Sequence, residues 1–141
     1  MGSKAKTDGV GIFVAEKWVD SVVSVERHSE KALVLKMALG DCLLINVFTV
    51  HAPHSGKPDE EKERFWNEVF HLVSCIPQYE MVVFAGDMNG HIESSNVSYD
   101  GKHGGFGYGS RNADGSRILE FADGLTWSSA AHCLRSRKPS W

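Results

Sequence analysis

The chain changes its hydrophobic period twice between residues 42 and 86, and this change limits the folds open to it. The run CLLINVFTV at 42–50 has the composition of a buried strand, whereas residues 59–76 place large apolar side chains along one helical stripe. The run MVVFAG at 81–86 returns to strand character. A strand, a helix and a strand in this order predict a crossover that joins two parallel strands of one sheet.

Three further apolar runs precede the crossover and predict antiparallel strands. They are GVGIFVA at 9–15, VVSVER at 22–27 and ALVLKMAL at 32–39, and only a few residues separate each run from the next. Gly40 and Asp41 form a typical hairpin signal before the strand at 42–50. We therefore expect residues 9–50 to form an antiparallel meander.

A long loop and a second helix are predicted after the last strand. Residues 87–115 are rich in Gly, Asn and Ser, and loops of such length are commonly functional. A helix is expected at 116–123, with Asp123-Gly124 at its end. Together with a polar lead at residues 1–8, these elements predict a single α/β (α+β) domain over residues 1–141.

Composition gives no sign of a strongly charged or disulfide-bonded protein. The chain has 15 basic and 18 acidic residues and a formal net charge of -3, so any contact with a polyanion must be local. Three cysteines with no paired spacing indicate neither a disulfide framework nor a thiolate zinc site. The polar N-terminus has no signal peptide or membrane-spanning run, and we expect an intracellular protein.

Polar side chains follow both strands of the predicted crossover. HAPH at 51–54 comes after the first strand and DMNGH at 87–91 after the second. Parallel strands end at the same edge of a sheet, and ligands bind at that edge in open sheets of this kind. We therefore expect five side chains to share one edge: His51, His54, Asp87, Asn89 and His91.

The predicted edge is suited to phosphoester chemistry, although the same residues also suit a turn. Asp87 could ligate a hard cation such as Mg²⁺ or hold an attacking water, and the Asn89 amide could donate to charge on a phosphoryl oxygen. The histidines could act as acid or base, contact phosphate or ligate zinc. Gly, Asp and Asn are equally favoured in tight turns for backbone reasons, and single histidines are often ordinary loop residues.

The segment YDGKHGGFGYGSRNADG at 99–115 also allows two interpretations. Tyr108 could stack on a base while Arg111 and Asn112 contact nucleic acid. Alternatively, the segment is a Gly-rich surface loop in which Asn112 or Asp114 caps the following helix.

Several segments in order resemble one family. GDMN after an apolar strand resembles the Gly-Asp-aromatic-or-Leu-Asn signature of the endonuclease/exonuclease/phosphatase superfamily. Longer segments resemble the endonuclease domains of RTE-class non-LTR retrotransposons and craniofacial development protein 2-like proteins. These segments are GSKAK, TDGVGI, VAEKWVDSVVSVER, VHAPHSG, EEKERFWNEV, GDMNGH, HGGFGYGSRNADGSRILEFA and RSRKPSW.

The resemblance implies a two-sheet sandwich that hydrolyses DNA phosphodiester bonds with Mg²⁺ or Mn²⁺, in a nuclear location. It places Asp87 where the family orients the attacking water beside the metal, and Asn89 where an asparagine stabilises the phosphoryl transition state. Asp87 and Asn89 would also be the metal-contacting residues present. His51 stands where many members carry a tyrosine that contacts the scissile phosphate.

The resemblance also implies a domain incomplete at both ends. The family's main metal-ligating glutamate would precede this segment, and its last aspartate would follow it. Two other functions therefore remain open: a noncatalytic truncated or domesticated remnant that acts as a binding or scaffold module, and a zinc-binding module without catalysis. Exposed strand edges would favour self-association.

Overall fold

The protein is an α+β fold with a four-stranded mixed sheet and helices. A computed structural model describes residues 9–92 and 110–136, and for residues 126–136 it describes the backbone alone. A short 3-10 helix at Glu16–Ser21 comes first. The strands and helices that follow are β1 (Val22–Ser29), β2 (Ala32–Leu39), β3 (Leu43–His51), α1 (Asp59–Ser74), β4 (Met81–Asp87) and α2 (Ala113–Ser136).

The sheet has the strand order β1-β2-β3-β4. β1 pairs antiparallel with β2, and β2 pairs antiparallel with β3, which confirms the meander over these three strands. β3 and β4 run parallel, from Ile45 opposite Met81 to His51 opposite Asp87. The predicted strand-helix-strand crossover through α1 is therefore confirmed.

The predicted strand at 9–15 is wrong, because these residues have no regular secondary structure. Two glycines, Gly9 and Gly11, give the segment little side-chain surface to pack and a high entropic cost of ordering. Phe13 is fully exposed, whereas Val10, Ile12 and Val14 are half-buried. Val10 donates one backbone hydrogen bond to the Glu30 carbonyl at 3.0 Å.

Both helices differ in extent from the predictions. α1 ends at Ser74 rather than residue 76, and the Cys75 and Ile76 amides donate to carbonyls three residues back, as in a tightened last turn before Pro77. α2 covers 113–136 rather than 116–123, so Gly124 lies inside it. A helix can absorb one interior glycine, at a cost of about 1 kcal/mol relative to alanine.

The chain divides into two compact units. Of the described residues, the first unit contains 9–52 and 71–88, and the second contains 53–70, 89–92 and 110–136. The single-domain interpretation of the sequence stays a prediction. Much of the predicted loop at 87–115 lies outside the described residues.

The first unit buries side chains on both faces of its sheet. Leu35 is 1% exposed, and on the opposite face Phe48 and Val50 are 0% and 1% exposed. The Phe48 and Phe84 rings pack with their centroids 5.1 Å apart. The described residues form one sheet, and the second sheet implied by the resemblance stays a prediction.

An aromatic cluster lies in the second unit, where α1 and α2 each contribute to it. The Trp66 ring lies 5.2 Å from Phe65 and 5.1 Å from Phe121, measured between centroids, and Phe70 lies 6.4 Å from Phe121. Phe65 and Leu119 are buried. The apolar stripe predicted for residues 59–76 therefore supplies a core, although Phe70 remains 48% exposed.

No helix in the described residues has both the length and the apolar composition needed to span a membrane.

Candidate functional site

His51 and Asp87 lie side by side at one edge of the sheet, which we call the rim. They are the last residues of β3 and β4 and occupy partner positions in the parallel register. The Ala52 amide donates to the Asp87 carbonyl at 2.9 Å, and the His51 amide donates to the Lys31 carbonyl at 3.0 Å. The backbone on both sides of the rim is therefore held, and the sequence-based expectation that these two residues share an edge is confirmed.

Gly86 allows β4 to approach β3 immediately before the rim. Its φ is +137°, in a region that other residues rarely adopt, and a Cβ at this position would overlap the Val50 carbonyl oxygen. The glycine of GDMN therefore has a structural explanation. It lets the strand that carries Asp87 pair closely with the strand that carries His51.

The two rim residues differ in exposure. Asp87 is exposed and His51 is half-buried. A carboxylate and an imidazole on adjacent strand ends can together accept a hydrogen bond from water and donate one to an anion. The rim therefore provides a hydrogen-bond acceptor and a hydrogen-bond donor, and a hydrolytic site needs both.

Asn89 follows Asp87 by two residues and belongs to the second unit. Its φ is +50°, the left-handed conformation that asparagine tolerates better than most residues. Gly90 follows, and a Cβ there would lie 2.6 Å from Ile118 Cδ1 and 2.8 Å from the Gly115 amide nitrogen. Residues 88–92 have no assigned turn, so the interpretation of DMNG as a tight turn stays a prediction.

Asn112 caps α2, as one of the two sequence interpretations predicted. Its Oδ1 accepts hydrogen bonds from the Gly115 amide at 2.7 Å and from the His91 amide at 3.1 Å. The Asn112 amide donates to the His91 carbonyl at 3.1 Å. The oxygen end of this side chain is thus used in contacts within the protein, and the nucleic-acid role of Asn112 stays a prediction.

The remaining candidates have different surroundings. His54 is exposed and accepts a hydrogen bond from the Gly56 amide on Nδ1 at 3.1 Å, which closes its own loop. His91 is exposed, and its backbone is bonded to Asn112. Arg111 is half-buried, and its nucleic-acid role stays a prediction. Tyr108 lies outside the described residues.

A buried polar network in the first unit was missed from the sequence. Glu80 lies just before β4 and accepts hydrogen bonds from Asn46 Nδ2 at 2.7 Å and from Lys36 Nζ at 3.2 Å. The Asn46 hydrogen bond and then the Lys36 partner hold the pKa of the Glu80 carboxyl below its ordinary value, against the opposing effect of burial. The signal in the sequence is the position of Glu80 directly before the apolar run 81–86, because a carboxylate next to a buried strand needs a hydrogen-bonding partner.

A buried ion pair in the second unit was also missed. Lys62 Nζ lies 3.0 Å from Asp114 Oδ1 and donates to the Ser55 carbonyl at 3.1 Å. Lys62 precedes Phe65 by three positions and Trp66 by four. Helical spacing therefore places a charged residue on the apolar stripe, and this was the available signal.

The described residues do not form a metal site by themselves. Within residues 9–92 and 110–125, no three side chains of His, Cys, Asp or Glu are grouped so that they could hold a metal ion.

Comparison with known proteins gives a distant similarity. The chain is 24% identical over 116 residues to Craniofacial development protein 2 from Bos taurus, and equally to the protein of that name from Tragulus javanicus. The aligned part covers 82% of this chain but only 19% and 20% of those two proteins. The chain thus spans about a fifth of the length of these relatives. No family model and no solved structure matches.

Proposed function

We propose that the rim is part of the hydrolytic site of a DNA phosphodiesterase related to the endonuclease/exonuclease/phosphatase superfamily. The observation that carries this proposal is the pairing of His51 with Asp87 at the carboxyl ends of two parallel strands. The motif GDMN and the similarity to Craniofacial development protein 2 support it further.

In the proposed reaction, water attacks the phosphorus and loses a proton to solvent, while the bond from phosphorus to the sugar oxygen breaks. The leaving oxygen takes a proton from solvent, so the products are a phosphate monoester and an alcohol. The Asp87 carboxylate accepts a hydrogen bond from the water and orients it. His51 donates a ring N–H to a phosphoryl oxygen. By resemblance, Asn89 would be the donor to the negative charge that develops on the phosphoryl group, the kind of contact that lowers the barrier of the chemical step.

Mg²⁺ or Mn²⁺ would be the cofactor by resemblance, with Asp87 and Asn89 contributing to its binding. The described residues do not complete a ligand set. The roles of His51, Asp87 and Asn89 above therefore include no step that passes through a metal ion.

DNA is the proposed substrate, and retrotransposon ancestry and a nuclear location belong to the same proposal. The net charge of -3 gives no general affinity for DNA, so binding must come from local contacts. Arg111 is the described candidate for a phosphate contact, and Tyr108 is the candidate for base stacking.

A plasmid-nicking assay tests the proposal. Supercoiled plasmid is incubated with the wild-type chain and with Asp87→Ala, with and without Mg²⁺, and relaxed circles are counted over time. We expect Asp87→Ala to lower the rate by roughly 100-fold or more, as expected when one member of a cooperating site is lost.

Asp41→Ala is the matched control, because Asp41 is an exposed carboxylate in the turn before β3. It should nick at the wild-type rate. Equal rates for wild type and Asp87→Ala would refute the proposal. A folded wild-type chain that binds DNA without nicking it would instead favour the noncatalytic binding module.

The outer strands of the described sheet favour self-association as a second property. β1 and β4 are the edge strands. Val23 and Val25 on β1 are 56% and 55% exposed, and Met81 and Val83 on β4 are 49% and 41% exposed. Edge strands with exposed apolar residues pair readily with another chain. Sedimentation equilibrium should show association that Val83→Lys weakens, and a strictly monomeric wild type would contradict this property.

A further inference from the structure

We infer that Asn112 is a positioning residue that holds the predicted turn Asn89–His91 in its observed conformation. This inference rests on the proposed function only in the role of Asn89, because the contacts themselves are described within the second unit. It changes the expected role of Asn112 from contacting nucleic acid to supporting the residue that would contact phosphate.

Two hydrogen bonds in opposite directions join His91 to Asn112. The His91 amide donates to Asn112 Oδ1 at 3.1 Å, and the Asn112 amide donates to the His91 carbonyl at 3.1 Å. The two residues are 21 positions apart in the chain. The motif GDMNGH is therefore attached, at its last residue, to the residue that caps α2.

Two glycines allow these segments to come so close. A Cβ on Gly115 would overlap the His91 carbonyl oxygen, and a Cβ on Gly90 would lie 2.9 Å from the Asp114 carbonyl carbon. Each glycine therefore lies against backbone of the other segment. Larger residues at either position would force the turn away from α2 and break the bonds to Asn112.

The turn needs such support because of the conformation of Asn89. Asparagine tolerates the left-handed conformation better than most residues but does not prefer it, so surrounding contacts help to maintain it. Asn89 has a φ of +50°. The anchored residue His91 lies only two positions further on, close enough to restrict the turn.

The anchor is itself fixed within the second unit. Asp114, two residues after Asn112, forms the buried ion pair with Lys62 of α1. Lys62 also donates to the Ser55 carbonyl in the loop before α1. The ion pair therefore joins the first turn of α2 to α1. Through Asn112, residues 89–91 are bonded to a helix start that is itself held by a tertiary contact.

Three substitutions separate capping from positioning. Asn112→Asp keeps an acceptor that can reach both amides. Asn112→Ser keeps a good helix cap for Gly115, but its side chain is one atom shorter and cannot also hold the His91 amide. Asn112→Ala loses both bonds. If Asn112 acts only as a cap, Asn112→Asp and Asn112→Ser should behave alike. If it also positions residues 89–91, only Asn112→Asp should behave like wild type.

Amide hydrogen exchange, measured by mass spectrometry on the full chain, reports how often the backbone of residues 88–92 opens. We expect peptides covering residues 88–92 to exchange roughly tenfold faster in Asn112→Ser than in wild type, while Asn112→Asp matches wild type and α2 peptides are unchanged in both variants. Wild-type exchange at residues 88–92 in Asn112→Ser would overturn the inference, as would equally fast exchange in Asn112→Asp. These two variants decide the question even if Asn112→Ala does not fold.

Nicking kinetics then connect the turn to the proposed function. Asn112→Ser should lower kcat roughly 10- to 100-fold with little change in KM for plasmid, and Asn112→Asp should restore it. An unchanged kcat together with faster exchange would overturn the catalytic relevance of the turn. If Asp87→Ala nicks at the wild-type rate, the proposed function fails, while the exchange measurement still tests the role of Asn112.

Discussion

Lys62 and Asp114 form an ion pair that is almost completely withdrawn from solvent. The distance from Lys62 Nζ to Asp114 Oδ1 is 3.0 Å, and the side chains are 9% and 12% exposed. Lys62 also donates to the Ser55 carbonyl. One lysine therefore joins α1, the start of α2 and the loop that precedes α1.

Removing one member of this pair should be strongly destabilising, because it leaves the other charge buried without its partner. We expect Lys62→Met to lower the free energy of unfolding by about 3–5 kcal/mol, measured by urea denaturation. The double variant Lys62→Met/Asp114→Leu should recover much of this loss. Lys57→Ala is the control, because its pair with Glu61 is exposed and should contribute less than about 1 kcal/mol. Equal effects of Lys62→Met and Lys57→Ala would contradict the prediction.

Gly86→Ala should disrupt the pairing of β3 with β4. The new methyl group would overlap the Val50 carbonyl oxygen, and the φ of +137° is unfavourable for alanine. We expect a loss of more than about 3 kcal/mol, or a failure to fold, by thermal or urea unfolding monitored by circular dichroism.

Two other glycines provide controls for this substitution. Gly11→Ala meets no atom within 4 Å and has no positive φ, so it should leave stability nearly unchanged. Gly40→Ala also meets no atom but has a φ of +66°, so it should cost only about 1–2 kcal/mol. A cost for Gly86→Ala no larger than that for Gly40→Ala would show that the close approach to Val50 is not important.

Stability should depend on pH through Glu80. Its pKa in the folded state is lowered by Asn46 and Lys36 relative to the ordinary value of 4.5. A carboxyl with a lowered folded-state pKa stabilises the protein at pH above its unfolded-state pKa, and this stabilisation is lost as pH falls through the folded-state pKa. The free energy of unfolding should therefore decrease as pH falls below about 4.5.

Glu80→Gln tests the origin of this pH dependence. The variant should be less stable than wild type near neutral pH by about 1.5–3 kcal/mol, the usual contribution of a hydrogen bond to a charged group. The difference should shrink as pH falls below 4.5, the ordinary value for this carboxyl. Glu30→Gln, at an exposed position, should follow the wild-type curve. If the free energies of unfolding of Glu80→Gln and wild type differ by the same amount at all pH values, Glu80 is not the source of the pH dependence.

Asn89→Gly should separate the backbone role of Asn89 from its proposed chemical role. Glycine adopts a φ of +50° readily, so the variant should unfold within about 0.5 kcal/mol of wild type. Because it lacks the side-chain amide, it should lower the nicking rate roughly 100-fold, the typical loss when one donor to a developing charge is removed. Wild-type nicking by Asn89→Gly would show that this residue serves the turn alone.

The bounds of α2 show which features of a helix local sequence signals predict and which depend on tertiary contacts. Asp123-Gly124 is a good stop signal by composition, yet the helix continues through it to Ser136. The helix also begins at Ala113 rather than at the predicted Ser116, because Asn112 supplies the cap. The sequence contained the right capping residue as one of two alternatives, and only the His91 and Gly115 contacts distinguished them.

The sequence was sufficient to predict the meander of β1 to β3, the parallel pairing of β3 with β4 and the shared edge of His51 and Asp87. These follow from hydrophobic period and connection length, which are local properties of the chain. Tertiary structure alone decided that residues 9–15 form no strand, that Glu80 and Lys62 find buried partners, and that Asn112 binds His91. Such contacts depend on how closely distant segments approach, and no pattern of neighbouring residues specifies that distance.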